Sequence, residues 1–207
     1  IPFVNTFTVF LTTLGLISAR AQVCYGNLNV KFGGAYCGMS DALDGATHHA
    51  TEDIAVMRSL PNMTVLVPSD AASTRWATKY AADTYGPMYL RLSRDVYPDL
   101  YDETTNFECG KGAIVRDGTD VTVIACGILV HKALEAAEQM AERGVSVRVV
   151  DMFTIKPIDK TMILESAELT GAIVTAENAN IIGGLGSAVA EVLGEEHPTI
   201  MERVGVK

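Results

Sequence analysis

The sequence has no Cys-x-x-Cys pair, no cluster of basic residues, and no apolar run near the ~20 residues that a bilayer span requires. The longest apolar runs, such as Val121 to Val130, stop well short of that length. The four cysteines (Cys24, Cys37, Cys109 and Cys126) are scattered, which argues against a zinc site and for reduced thiols in a cytoplasmic protein. With a net charge of −9, the missing basic cluster excludes a nucleic-acid partner. The acidity is spread along the chain and reads as solvated surface charge. No basic-then-apolar leader opens the sequence, so secretion is not expected. An initiating methionine is also missing: the chain begins Ile1-Pro-Phe-Val, an apolar run that reads as the interior of a domain.

What is present describes a globular α/β protein, with 48% hydrophobic and 20% charged residues in 207. Ile1 to Val4 reads as the end of a buried strand. Phe7, Phe10, Leu11, Leu14 and Ile17 then recur at helical spacing, predicting an amphipathic helix over Phe7 to Ala21. Leu28 to Phe32 alternates as a strand ending at Gly33-Gly34, and Ala35 to Ala50 is a long loop. A helix follows, with Thr51 as N-cap and Glu52 and Asp53 at its positive end. Met63 to Val67 and Met88 to Leu92 read as strands around a helix capped by Ser69 or Asp70. Such alternation indicates parallel sheet with crossover helices.

Between Asp95 and Gly112 the periodicity lapses, and the reading places a linker at 98–111 between domains 1–97 and 112–207. In the second domain, strands at Val121–Ala125, Val145–Met152, Ala172–Ala176 and Thr199–Val204 alternate with helices at Val130–Arg143, Asp159–Ala167 and Leu185–Leu193. A small doubly wound, parallel-rich sheet with helices on both faces is expected.

The loop Asp44-Gly-Ala-Thr-His48-His49 is the stretch richest in chemistry. A carboxylate and an imidazole four residues apart could grip a polar substrate, and histidine transfers protons near neutral pH. The same residues could equally satisfy local backbone donors and face solvent. Arg94, closing a strand at Leu92-Ser93-Arg94, could be an anion-binding fork or a surface charge. Gly184-Leu185-Gly186 lacks the third glycine of a dinucleotide fingerprint, Val189 standing there, and reads as a packed strand-to-helix turn.

Three stretches resemble the transketolase family in order and spacing: Asn5-Thr-Phe-Thr-Val-Phe-Leu-Thr-Thr13, Asp44-Gly-Ala-Thr-His48, and Thr51-Glu-Asp-Ile-Ala-Val-Met-Arg-Ser-Leu-Pro-Asn-Met-Thr-Val65. The similarity continues to Gly183-Gly-Leu-Gly-Ser-Ala-Val-Ala-Glu191 and covers essentially the whole chain. It implies the later part of a thiamine-diphosphate-binding, pyrimidine-type domain followed by a transketolase C-terminal domain. By the same resemblance, Phe7 and Phe10 line the aminopyrimidine pocket, Asp44 and His48 are catalytic residues at the sugar hydroxyls, and Arg94 binds the substrate phosphate. Tyr36 stands where the family has a substrate-facing histidine, Glu177-Asn-Ala179 replaces Glu-Glu-His, and Thr13 sits where some members carry an aromatic.

The implied activity is transfer of a two-carbon ketol unit between phosphorylated sugars. The activating glutamate of the family precedes the point where this sequence begins, and the diphosphate-binding domain with its Mg or Ca ion is expected on a partner segment. No metal site is expected here. The 207 residues alone are therefore expected to be cofactor-free, inactive and homodimeric through the first domain. Alternatives are a deoxyxylulose-phosphate synthase, a 2-oxoacid dehydrogenase beta-type subunit, or a catalytically degenerate subunit that only binds a partner.

Overall fold

Short apolar strands joined by helices can bury both faces only in a parallel sheet covered on each side. A computed structural model describes residues 1–207 as two such sheets of five strands each. In the first, β1 (Phe3–Phe7), β2 (Lys31–Ala35), β3 (Thr64–Leu66) and β4 (Met88–Arg91) are mutually parallel in the spatial order β1-β2-β4-β3. In the second, β6 (Val121–Ala125), β7 (Val147–Asp151), β9 (Ala172–Asn180) and β10 (Ile200–Val206) are parallel in the order β10-β9-β6-β7. Each sheet also carries one antiparallel strand at an edge: β8 (Thr154–Lys156) on β3, and β5 (Ala113–Arg116) on β7.

Successive side chains on a strand point to opposite faces, and the second sheet uses both. Ala125, Val147, Val149 and Ala176 form one core with Val130, Ala133 and Ala137 of helix α5 (Ile128–Ala141). Their neighbours Ile124, Val150 and Ile173 belong to another, with residues of α6 (Lys160–Thr170) and α7 (Leu185–Glu196). That second core runs without interruption into the first sheet through Met57, Met63, Val65 and Tyr89. The two sheets are thus joined by shared apolar burial, and β8 belongs to the first sheet although it follows β7 in the chain.

The connecting segment is anchored. Asp70 caps α4 (Ala71–Asp83) through Ser73, and its second oxygen accepts from the amides of Leu100 and Tyr101 at 3.0 and 2.9 Å. Burial would raise this carboxyl, but the hydrogen bonds outweigh it and hold the group below its ordinary value. Phe107 packs among the rings of Trp76, Tyr101 and Phe153.

The structure corrects several local expectations. Phe7 ends β1 instead of opening a helix, and the helix expected to Ala21 is broken into α1 (Thr8–Thr12), α2 (Leu16–Ser18) and a wide π turn at Ala19–Cys24. Thr12 and Thr13 turn their hydroxyls back onto the carbonyls of Thr8 and Val9, a bond that bends helices, and Gly15 follows. Of the predicted apolar stripe only Leu11 is buried, while Leu14 and Ile17 are 82% and 79% exposed. The strand expected to be buried at Ile1 to Val4 is an exposed edge. Gly33 and Gly34 lie inside β2, not after it. Helix α3 (Asp53–Ser59) is capped at Glu52, not Thr51; Asp53 stands in its first turn as expected, and is fully buried there.

Candidate functional site

The loop from Tyr36 to Ala50 leaves the end of β2 and is tied down at both ends. The Cys37 amide donates to Leu92 O at 3.1 Å, extending the β2–β4 ladder, and Gly38 and Ala50 exchange backbone hydrogen bonds. Tyr36 itself has φ of 59°, a left-handed conformation that costs a side-chain-bearing residue about 1–2 kcal/mol. The cost is borne at the point where the chain turns out of the sheet and places the tyrosine ring between two expected site residues.

The result is a continuous row of side chains. The Arg94 guanidinium carbon lies 5.6 Å from the centre of the Tyr36 ring. Tyr36 is 4.5 Å from Phe7, and Phe7 and Phe10 each meet His48 edge-on at 5.5 Å. Phe7 and Phe10 are themselves 5.8 Å apart in an edge-to-face pair, with Phe10 37% exposed. The His48 Nδ1 is 3.0 Å from the Thr47 hydroxyl, which fixes the ring's rotation and turns Nε2 away from that contact. Five of the six residues singled out from the sequence therefore lie side by side. The sixth, Asp44, is exposed on the same loop and leads into the single 3₁₀ turn Gly45–Thr47 that delivers His48.

Half-exposed aromatic rings present both a flat apolar face and a polar edge, a surface that receives a planar heterocycle. The imidazole and guanidinium at either side supply hydrogen-bond donors of fixed direction. This arrangement can receive a flat heterocycle with a polar molecule alongside.

Three features of the site were not found in the sequence. Asp41 is fully buried and binds Arg94 Nη1 through Oδ1 at 2.5 Å. Burial raises the Asp41 carboxyl, while neighbouring Asp44 and the Arg94 guanidinium lower it by more, so that it stays below its ordinary value. Asp53 takes Arg91 Nε and Nη2 at 2.6 and 3.0 Å and the Tyr89 hydroxyl at 2.6 Å, all buried beneath the loop. Asn178, in β9 of the second sheet, accepts from the Met39 amide at 3.3 Å and from Arg91 at 2.7 Å. Gly38 has φ of 61°, and a Cβ there would strike Asn178. The sequence marked Gly38 as a loop residue and Asn178 as a departure from the family, but nothing in it joins two residues so far apart.

The strand-to-helix turn at Gly183–Gly186 is a structural turn. Glu177 accepts from the amides of Leu185 and Gly186 at 2.7 and 2.8 Å, so both of its oxygens are committed to the start of α7. Burial raises the Glu177 carboxyl, and these bonds only partly offset it.

Comparison with known proteins covers the whole chain. The family model described as transketolase, pyrimidine binding domain matches residues 1–99, and that of the transketolase C-terminal domain matches residues 110–207. The 6-deoxy-6-sulfo-D-fructose transketolase subunit of Clostridium sp. (strain MSTE9) is 44% identical over 207 residues, covering 100% of this chain and 64% of the relative. An apulose-4-phosphate transketolase subunit of Phocaeicola vulgatus is 38% identical, covering 95% and 63%. The putative transketolase C-terminal section of Methanocaldococcus jannaschii is 42% identical, covering 93% and 61%. The chain thus spans less than two thirds of the length of these relatives. Among solved structures, a split gene transketolase described as an inactive beta4 tetramer superposes with a TM-score of 0.94 at 48% identity, covering 100% of this chain and 67% of that one. The Campylobacter jejuni transketolase shares the fold at a TM-score of 0.79 and 20% identity, covering 100% and 31%. With two family models together matching nearly every residue, this chain belongs to the transketolase family.

Proposed function

We propose that the chain is the C-terminal component of a thiamine-diphosphate-dependent transketolase. Joined to a diphosphate-binding segment, it transfers a two-carbon ketol unit between sugars that carry a terminal anionic group. The observation that carries this reading is the unbroken row Arg94–Tyr36–Phe7–His48–Phe10. Phe7 and Phe10 would hold the aminopyrimidine ring. The cofactor, when bound, supplies the chemistry that cleaves and forms the carbon–carbon bond.

The protein's own groups bind and orient. His48 presents Nε2 toward the sugar hydroxyls, with Asp44 accepting from the same hydroxyls at the loop's exposed edge. Tyr36 offers one hydroxyl in place of an imidazole, and orients the sugar through it. Arg94, at the far end of the row, receives the terminal anion. The names of the relatives support that end of the site, since one refers to a sulfo-sugar and another to a sugar phosphate.

The relatives' descriptions as subunits and as a C-terminal section support a separate diphosphate-binding partner, which would also hold the Mg or Ca ion. Exposed Leu14, Ile17 and Phe10 beside the aromatic wall support self-association through the first domain, in a homodimer or a multiple of one. The unpaired thiols, three of them buried, suit a reducing cytoplasm.

The test is a ketol-transfer assay of this chain combined with the diphosphate-binding subunit of its own organism, supplied with thiamine diphosphate and magnesium. Transfer is expected only from the combined chains. A combined preparation that binds the cofactor yet transfers nothing would favour the catalytically degenerate reading.

A further inference from the structure

Arg94 is the only Lys or Arg in the segments 36–50 and 92–95, and three acids (Asp41, Asp44 and Asp95) share those segments with it. It is also not a free cation. Its Nη1 is bound to Asp41, whose side chain is fully buried while the arginine's is 42% exposed. The carboxylate stands behind the guanidinium, and the guanidinium faces outward. Asp41 Oδ2 is buried with no hydrogen-bond partner. The only other arginine close in sequence, Arg91, is consumed by Asp53.

Arg94 keeps Nε and Nη2 for a ligand, so a tetrahedral oxyanion can still be received in a two-pronged fashion. What differs from a free arginine is the charge balance. A phosphate ester near pH 7 carries about −1.5 to −2, and its second charge meets a site where the single cation is already neutralised. A terminal group of one negative charge has the same three acceptor oxygens without the excess charge. We propose that Asp41 sets the charge of the substrate terminus. By neutralising Arg94 it makes the site select a monoanionic end group of the sulfonate type over a phosphate dianion. This rests on the ketol-transfer reading for its substrate, but the anion preference is a property of the chain itself.

Two measurements separate the two ideas. In the assembled enzyme at pH 8, kcat/KM is compared for two ketohexose donors that differ only in a 6-sulfonate or a 6-phosphate. The wild type is expected to favour the sulfonate, and Asp41→Asn to move the ratio about tenfold toward phosphate. Asp41→Glu should keep the wild-type order. In the chain alone, NMR titration of the Arg94 side chain with methanesulfonate and inorganic phosphate at pH 8 should show the same order and the same reversal in D41N. A wild type that treats the two alike or prefers phosphate overturns the proposal, whether or not the variant folds. A folded D41N with an unchanged ratio in the titration overturns it as well. If no sugar is turned over by any form while the titrations show the reversal, the transfer reading fails and the charge selection stands.

Discussion

His48 makes edge contacts with both phenylalanines and has its Nδ1 beside the Thr47 hydroxyl, so its ring is positioned by three neighbours on three sides. Replacing it with alanine removes a positioned polar group without disturbing the buried core. H48A in the assembled enzyme should therefore lower ketol-transfer kcat/KM by about 10²-fold, the common scale for such a group. The melting temperature of the isolated chain should change little. Turnover equal to wild type would show that His48 does not touch the substrate. The residues of this row were picked out in the sequence by their resemblance to the family's short motifs, whose spacing survives in one dimension. The ion pair between Asp41 and Arg94 was not, because the two are 53 positions apart and meet only where the loop and the end of β4 converge.

At the scale of elements, the attachments that hold the Tyr36–Ala50 loop include the bridge at Gly38 and Ala50, the amide of Cys37 on Leu92, and Asn178 from the second sheet, besides the Asp41–Arg94 pair. Gly38 is where the bridge to Ala50 and the contact with Asn178 coincide. A side chain there must both adopt a left-handed backbone and displace Asn178. Gly38→Ala should cost about 2–4 kcal/mol, the left-handed penalty plus an overpacking term. It should also lower transfer by shifting Tyr36 and the Arg94 contacts. Thermal unfolding of the chain measures the first effect. A melting temperature within a degree of wild type would show that the loop yields freely and is not held by the second sheet.

At the scale of the whole molecule, Asp151 marks the junction of the two sheets and the connecting segment. It ends β7, accepts from Ser69 Oγ of the first sheet's region at 2.8 Å, and accepts from the Tyr101 hydroxyl at 2.9 Å. Burial pushes its carboxyl up to about 7, against the lowering effect of those two hydrogen bonds and with a smaller push from Asp70. In the unfolded chain the same group titrates near its ordinary 3.8. The folded state therefore holds a proton that the unfolded state has lost between those values. The stability that this proton confers is full below about pH 4 and falls as the pH rises toward 7, by up to about 4 kcal/mol for a fully buried group. Urea midpoints measured from pH 4.5 to 7.5 should carry this decline in the wild type and much less of it in Asp151→Asn. Equal slopes in the two would show that Asp151 is already ionised at low pH. The exposed apolar face at α1 and α2 leads to a different measurement. Light scattering should find the wild type dimeric or larger and L14S/I17S shifted toward monomer, whereas a wild-type monomer at high concentration would remove self-association from the proposal.

The sequence alone determined the α/β class, the parallel sheets and the chemistry-bearing loop, because these depend on local periodicity and on short motifs whose residues stay neighbours in space. It misjudged the helix after Phe7, where hydroxyls and a glycine override an apolar stripe, and it missed β5 and β8, three- and four-residue edge strands with no period of their own to read. Tertiary structure alone decided which charges are free. Asp53 reads as a helix-start acid and Arg94 as an open fork, yet each is neutralised by a partner more than 35 positions away. A charge's electrostatic state depends on distance and dielectric in three dimensions, and only the folded chain brings those partners together.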